Sequence, residues 1–168
     1  IVLKPGKTKE GQKAAKYHTG ASAIEEKEID KTFRKAGIVR VDDVRELAAY
    51  STIFSSPSRP KGRRVATISN SGALGVMAAD KCIEWGLELA ELKSETKQQI
   101  AQSLPIFASA ENPIDVTAQL LNDKDLLSNT LPALIKDPNV DIIILLLAIL
   151  GKGYDVPRMI ESIQKAQS

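Results

Sequence analysis

The chain has 168 residues and a mass of 18.2 kDa, with 43% hydrophobic and 26% charged residues, as in ordinary globular proteins. These proportions and the single cysteine exclude a disordered chain, a collagen-like chain and a disulfide scaffold. The formal net charge of +2 is too small to indicate a nucleic-acid-binding protein.

The single cysteine and the lengths of the apolar runs bear on the cellular compartment of the protein and on whether it spans a membrane. Cys82 stands in a helical pattern among apolar residues, which predicts a buried thiol. One cysteine forms no internal disulfide, which is typical of a reducing compartment and predicts a cytoplasmic location. The longest apolar run, 142–150, is too short to span a bilayer. The chain starts at Ile1 without a methionine, so we expect a processed chain or a piece of a longer protein.

The first 54 residues alternate between strand and helix patterns, as at the end of an α/β unit. Gly37 is the expected stop of the second helix. In chain order we predict a strand at 1–3, a short helix within 7–17, a glycine-containing turn at 18–21, a helix at 24–36, a strand at 38–41 and a helix at 42–54 with Asp42 as its N-cap.

A stretch rich in proline, serine and basic residues at 55–63 is predicted to be a linker. The alternation then restarts and indicates a parallel, doubly wound α/β sheet. We predict strands at 64–69, 87–92 and 140–149, loops at 70–75 and 108–116, and helices from 72 to 85, from Ser94 to 104, from Asp123 to 136 with a kink or early stop at Pro132, and from 157 to 167.

His18 is the only histidine, and the first 18 residues contain five lysines and one glutamate. One interpretation is an incidental histidine on a solvated basic surface. The other begins with the small residues after it, Gly20 and Ala21, whose backbone N–H groups can hold anionic oxygens. A neutral imidazole attacks phosphorus and forms a phosphoramidate, which a basic surround stabilises.

Two loops in the second half are candidate ligand sites. The strand, loop and helix around Ser71 and Gly72 form the context of an anion site at a helix N-terminus, or the glycines only permit close packing of helix on strand. Asn112 and Asp115 lie in an Asn-Pro-Ile-Asp loop, where Asp115 either caps the next segment or orients a ligand. Histidine, cysteine and carboxylates have no metal-ligand spacing, so we predict no metal site.

The segments 1–7 (IVLKPGK) and 14–21 (AAKYHTGA) resemble the NDP-forming acyl-CoA synthetases, which include ADP-forming acetate–CoA ligases and succinyl-CoA ligase. The segments 36–43, 64–75 and 112–117 resemble the same family in the same order. The resemblance implies a flavodoxin-like fold. It also implies a relay in which acyl-CoA and phosphate give an acyl phosphate, and the phosphoryl group passes to a histidine and then to ADP.

The resemblance further implies that His18 is the phosphate carrier, that the lysines between Lys4 and Lys16 set the local field, and that phosphate is bound by Thr19, Gly20, Ala21, Ser71 and Gly72. It implies that 1–54 is the C-terminal part of the phosphohistidine-bearing flavodoxin-like domain. It makes 64–168 a second flavodoxin-like domain that lacks its last strands.

The same resemblance places ATP or ADP with Mg on an ATP-grasp domain, and CoA on another domain, both absent from this chain. Partners are then the remaining domains or subunits of an oligomer, with no nucleic acid and no membrane, and 1–54 is expected to expose apolar surface. Two alternatives remain open. One is a catalytically dead, synthetase-like regulatory region of a protein acetyltransferase, and the other is an unrelated flavodoxin-like anion-binding module.

Overall fold

The computed structural model describes residues 1–19, 24–150 and 152–167. The chain divides into two compact units, Ile1–Arg59 and Pro60–Ser168. The division falls inside the stretch 55–63 that was predicted to be a linker. Each unit is described by itself below.

The first unit has a two-stranded parallel sheet in which Val2 is paired with Arg40. The alternation of strand and helix predicted for 1–54 is confirmed, and a glycine with φ of +66°, Gly37, follows the second helix as expected. The elements are β1 (Val2–Leu3), α1 (Lys9–Thr19), α2 (Glu26–Lys35), β2 (Arg40–Val41) and α3 (Val44–Ser55).

The predicted N-cap of α3 is wrong by one residue. Asp43 is the N-cap, and its carboxylate accepts a hydrogen bond from the backbone N–H of Glu46 at 2.8 Å. The Glu46 carboxylate in turn accepts from the N–H of Asp42 at 2.8 Å. These reciprocal bonds satisfy two backbone donors at the start of the helix, which is why Asp43 is the preferred cap.

The first unit buries few apolar side chains. Among its described residues Ile29 and Val41 are buried, whereas large apolar side chains on α1 and α3 are exposed. The expectation of exposed apolar surface in 1–54 is therefore met. The exposed side chains are Ile1, Tyr17, Ile24, Val44, Ile53 and Phe54.

The second unit is built on a four-stranded parallel sheet with β3 at its centre. β6 pairs with β3 along its whole length, from Val65 opposite Ile142 to Ser69 opposite Leu146. On the other edge β4 pairs with the first two residues of β3 and β5 with the last two. The elements are β3 (Arg64–Ser69), α4 (Gly72–Glu84), β4 (Glu88–Leu89), α5 (Ser94–Ala101), β5 (Ile114–Asp115), a 3-10 helix (Thr117–Leu121), α6 (Leu126–Lys136), β6 (Ile142–Leu146) and α7 (Val156–Gln167).

The parallel α/β sheet confirms the predicted fold class, but two strand assignments were wrong. β4 is two residues long instead of extending over 87–92, and β5 lies within 108–116, which was predicted to be a loop. The reason is the same for both. β4 and β5 share one edge of β3, so each covers only part of it, and strands this short leave no alternating sequence pattern.

Two predicted helix caps were also wrong. Asp123 does not cap α6, because its carboxylate accepts from the N–H of Asp125 at 2.9 Å. Ser94 is the first helical residue of α5, and the N-cap is Lys93. The Lys93 N–H donates at 2.9 Å to the buried carboxylate of Asp137.

Asp137 thus joins the start of α5 to the end of α6. Burial by itself raises the pKa of its carboxyl, but hydrogen bonds from Asn139, Thr96 and Lys93 outweigh burial and lower it. Pro132 lies inside α6, and the helix continues past it to Lys136, so the proline is no stop.

The core of the second unit is aliphatic. Cys82 is buried as expected, at 4% exposed, beside an apolar groove of about 390 Å³ between α4 and β6. In the described part of the chain no helix is long and apolar enough to cross a bilayer. The largest fully buried side chains include Ile68, Ile100, Ile114, Leu126, Leu127 and Leu134.

The register between β3 and β6 begins at an ion pair. The Arg64 guanidinium donates from Nε to Oδ2 of Asp141 and from Nη2 to Oδ1, both at 2.8 Å. The Arg64 backbone N–H also donates to the same carboxylate at 3.0 Å. These hydrogen bonds from Arg64 lower the pKa of the Asp141 carboxyl to about 2.

We predict that Asp141→Asn lowers the stability of the second unit near neutral pH and makes that stability less dependent on pH in the acid range. Because folding lowers the pKa of Asp141 from 3.8 to about 2, the pairing stabilises the fold above pH 3.8, and this stability is lost as the pH falls towards 2. Urea midpoints of the 168-residue chain between pH 2 and pH 6 should therefore fall less steeply for Asp141→Asn than for wild type. Asp80→Asn, on the exposed side of α4, is the control and should keep the wild-type slope.

Candidate functional site

His18 lies in the last turn of α1 with its side chain exposed. The predicted turn at 18–21 is therefore wrong for His18, because the helix extends two residues past 17 and includes it. Thr19 is the last residue of α1, whereas Gly20 and Ala21 lie outside the described residues. An exposed imidazole at a helix end is accessible to a phosphorylated reagent, which is what a phosphate carrier requires.

The lysines of α1 do not lie on the same side of the helix as His18, and their effect on the local field stays a prediction. An α-helix turns about 100° per residue, so Lys13 and Lys16 lie about 140° and 160° around the axis from His18, and Lys9 lies on the opposite side. The lysines before the helix are paired elsewhere. Lys4 lies 3.8 Å from Glu26, and Lys7 forms an ion pair with Asp42.

The most buried charge of the first unit is the guanidinium of Arg40, whose side chain is 9% exposed. Its Nη1 donates to Glu26 at 2.6 Å and to Asp30 at 2.9 Å, and its Nη2 donates to the carbonyl oxygen of Lys4 at 2.8 Å. Burial acts to lower the pKa of Arg40, but the hydrogen bonds that it donates to both carboxylates outweigh burial and raise the pKa. Sequence reasoning noted Arg40 only as part of a family-like segment.

In the second unit the predicted glycine loop begins α4. The Ser71 N–H donates to the Ser69 hydroxyl at 3.0 Å, and that hydroxyl donates to the Ser71 carbonyl at 2.9 Å. Ser71 is the N-cap, with Gly72 as the first helical residue. The strand, loop and helix predicted around Ser71 and Gly72 are therefore present.

A carboxylate already faces this helix end. A Cβ on Gly72 would lie 3.0 Å from Oδ2 of Asp115, so the glycine allows the carboxylate to approach the first turn of α4. A negative charge at a helix N-terminus is stabilising. A phosphate at the same place would share the helix end with Asp115 and meet its repulsion.

Asp115 also caps the segment that follows it. Its Oδ1 accepts from the N–H of Thr117 at 2.8 Å, and Thr117 has a φ of +56° at the start of the 3-10 helix. Capping was one of the two interpretations of Asp115, and the structure contains that contact. The carboxylate thus joins β5, the 3-10 helix and the start of α4 at the carboxyl edge of the sheet.

The Asn112 side chain serves the sheet. Its Oδ1 accepts from the N–H of Thr67 at 2.9 Å, and its Nδ2 donates to the carbonyls of Val65 at 2.7 Å and Ala90 at 3.0 Å. The amide therefore takes the place of a strand between β4 and β5. Its donors and acceptor are used inside the protein, so the amide has little hydrogen-bonding capacity left for a ligand. A ligand role for Asn112 stays a prediction.

Sequence reasoning missed Asn70 as a positioning residue. Its amide exchanges two hydrogen bonds with the backbone of Ala148, donating at 3.0 Å and accepting at 2.8 Å, and it donates to the Tyr154 hydroxyl at 3.1 Å. This ties the end of β3 to the chain beyond β6. Within the described residues no group of three or more metal-ligating side chains occurs.

We predict that Asn112→Ala lowers the free energy of unfolding by about 3 kcal/mol, because it leaves the Thr67 N–H without its partner and removes two further hydrogen bonds. Urea denaturation of the 168-residue chain measures the loss. Asn129→Ala, at an exposed position on α6, is the matched control and should change stability by less than about 0.5 kcal/mol. Equal losses in the two variants would contradict the assigned role of Asn112.

Comparison with known proteins places both halves of the chain in one family. A family model described as a succinyl-CoA ligase-like flavodoxin domain matches residues 1–54, and one described as a Ligase-CoA domain matches residues 65–154. The chain is 36% identical over 144 residues to subunit alpha of the ADP-forming acetate–CoA ligase II of Pyrococcus furiosus, covering 86% of this chain and 31% of that subunit. It is 31% identical to the ADP-forming 4-hydroxybutyrate–CoA ligase of Nitrosopumilus maritimus, covering 86% of this chain and 20% of the ligase.

A solved structure is similar over the whole chain. It is that of the dinucleotide-forming acetyl-coenzyme A synthetase 1 of Ca. Korarchaeum cryptofilum in complex with phosphate and ADP, with a TM-score of 0.84 and 28% identity. The match covers 100% of this chain and 36% of that one, so this chain spans about a third or less of these relatives. Because the Ligase-CoA model alone matches more than half of its residues, the chain belongs to the NDP-forming acyl-CoA synthetase family, the relatives of succinyl-CoA ligase.

Proposed function

We propose that this chain is part of an acyl-CoA synthetase that interconverts acyl-CoA, phosphate and ADP with acid, CoA and ATP through a phosphohistidine on His18. The observation that carries the proposal is the presence of an exposed histidine at the end of α1 in a segment, 1–54, that a succinyl-CoA ligase-like family model matches. The relatives named as ADP-forming ligases support the nucleotide and thioester chemistry.

The proposed relay has three balanced steps. Phosphate attacks the thioester of acyl-CoA, giving an acyl phosphate and CoA. A ring nitrogen of neutral His18 attacks the phosphorus of the acyl phosphate, so an N–P bond forms and the P–O bond to the acyl group breaks with release of the acid. ADP then takes the phosphoryl group, giving ATP and free His18.

The parts of the chain divide this work as follows. Residues 1–54 form the C-terminal part of the phosphohistidine-bearing flavodoxin-like domain, 55–63 is the linker, and 64–168 is the second flavodoxin-like domain. Thr19, Gly20 and Ala21 are the proposed phosphate-binding residues beside His18, with the backbone N–H groups of Gly20 and Ala21 offered to the phosphoryl oxygens. Ser71 and Gly72 offer a second anion-binding helix end, where Asp115 competes with phosphate and favours brief occupancy.

The substrates that need a larger pocket are bound outside this chain. Nucleotide with Mg on an ATP-grasp domain and CoA on a separate domain complete the enzyme, either on the same polypeptide or on partner subunits of an oligomer. The naming of one relative as an alpha subunit supports the partner arrangement.

The direct test uses the intact synthetase that contains this chain. His18→Asn should abolish acid-labile phosphate on the protein after incubation with ATP and Mg²⁺, because asparagine has no nucleophilic ring nitrogen. The same variant should lower ADP-dependent acyl-CoA cleavage by more than about a thousandfold. Lys13→Gln is the matched control on α1 and should keep labelling within about twofold, since Lys13 lies on the other side of the helix from His18.

The alternatives predict different results. A wild-type protein that carries no acid-labile phosphate would contradict the relay and favour a catalytically dead regulatory region. Full turnover in His18→Asn, combined with phosphate binding that Gly72→Asp abolishes, would instead favour an anion-binding module.

We also predict that the 168-residue chain alone shows no ADP-dependent acyl-CoA cleavage, because the nucleotide and CoA sites lie outside it. A coupled assay for ATP or free thiol measures this. Turnover by the isolated chain would contradict the proposed division of substrates.

A further inference from the structure

We propose that Arg40 is a positioning residue for His18, which fastens both ends of the chain segment that carries the histidine. This inference rests on the proposed function, because it gives Arg40 a part in phosphoryl transfer at His18. It concerns a residue that makes no contact with the reacting atoms.

The contacts of Arg40 lie on both sides of α1 along the chain. Its Nη2 donates to the carbonyl of Lys4, just after β1, and its Nη1 donates to Glu26, the first residue of α2. The residues between Lys4 and Glu26 contain all of α1, including His18. One guanidinium thus holds the point where the histidine-bearing segment leaves the sheet and the point where it returns.

Arg40 is itself held in place by its strand. It lies on β2 opposite Val2 of β1, and the Val2 N–H donates to the carbonyl of Val39 at 2.9 Å. The next residue, Val41, is buried at 2% exposed. The fixed strand therefore transmits its position through Arg40 to both ends of the segment.

The acceptors around Arg40 favour an arginine over other cations. Asp30 accepts a second bond from Nη1 at 2.9 Å, so the guanidinium serves three acceptors in different directions from a side chain that is nine-tenths buried. A planar guanidinium can do this, whereas the single nitrogen of lysine cannot span the same acceptors. Without the Arg40 guanidinium, Asp30 loses its ion pair and Glu26 keeps only Lys4, 3.8 Å away, as a nearby cation.

The consequence for function is geometric. Phosphoryl transfer needs the attacking nitrogen in line with the bond that breaks, and a misplacement of about 1 Å can cost about a hundredfold in rate. A segment held at both ends presents His18 in fewer positions than a segment held at one end. We therefore expect loss of the Arg40 contacts to slow transfer at His18 without weakening the binding of nucleotide elsewhere.

The test measures His18 phosphorylation in the intact synthetase carrying Arg40→Lys. We expect the rate of acid-labile phosphate formation from ATP and Mg²⁺ in rapid-quench experiments to fall about tenfold, with the KM for ATP within about twofold of wild type. Arg64→Lys is the matched control, because it removes a guanidinium that also serves a carboxylate and a carbonyl, in the second unit. It should keep the rate within about twofold.

Rates are measured below the melting transition and corrected for the folded fraction, so that a loss of stability alone does not imitate the effect. If Arg40→Lys does not fold, Asp30→Asn replaces it. Asp30→Asn keeps the shape but removes one charge from the cluster, and we expect about a threefold fall in rate. A wild-type rate in the folded variant tested would overturn the inference.

Failure of this inference and failure of the proposed function give different results. If the wild-type enzyme carries phosphohistidine and the Arg40→Lys enzyme is phosphorylated equally fast, only the role of Arg40 is overturned. Wild-type enzyme without any phosphohistidine overturns the proposed function and this inference together. A slow Arg40→Lys enzyme with an equally slow Arg64→Lys control would also overturn the inference, because the effect would then be general.

Discussion

The second unit depends on one requirement, which is that the buried central strand β3 must have its backbone hydrogen bonds satisfied on both edges. β6 meets this requirement along one edge. On the other edge β4 and β5 each cover two residues, and the Asn112 amide bonds the Thr67 N–H and the Val65 carbonyl between them. The Asn112 side chain thus makes hydrogen bonds that a strand backbone would otherwise make, so two short strands can share one edge of β3. It also fixes the start of the loop that brings Asp115 to α4.

The candidate chemistry lies at helix ends in both units, where unpaired backbone groups create local charge. At the start of α4 the carboxylate of Asp115 lies close to Gly72, so a further anion at that helix end meets a negative charge. At the end of α1 His18 is exposed, and the basic side chains of the same helix point elsewhere. The main fixed charge of the first unit is instead the Arg40 cluster, which holds the backbone on either side of α1.

Prediction from sequence succeeded where a pattern was long and failed where a contact was distant. The helices at 24–36 and 72–85 follow from periodicity and glycine stops and were close to correct, whereas the apolar strand predicted at 140–149 is present but shorter, at Ile142–Leu146. The caps Asp42 and Asp123 were wrong because several polar residues stand near each helix start, and local hydrogen bonds to Asp43 and Asp123 decide between them. Ser94 lost its role because the Lys93 N–H meets Asp137, which is more than forty residues away in the chain.

The sequence by itself determined the α/β class, the two-part organisation, the buried Cys82 and the family, because all of these follow from local patterns and motifs. Only the tertiary structure decided what the polar residues do. In that structure the Asn112 amide forms hydrogen bonds within the sheet, and His18 lies on a helix rather than in a turn. The same structure also brings Lys4, Glu26 and Asp30 to one guanidinium. Hydrogen-bond partners are chosen by distance in space, and no spacing along the chain encodes that distance.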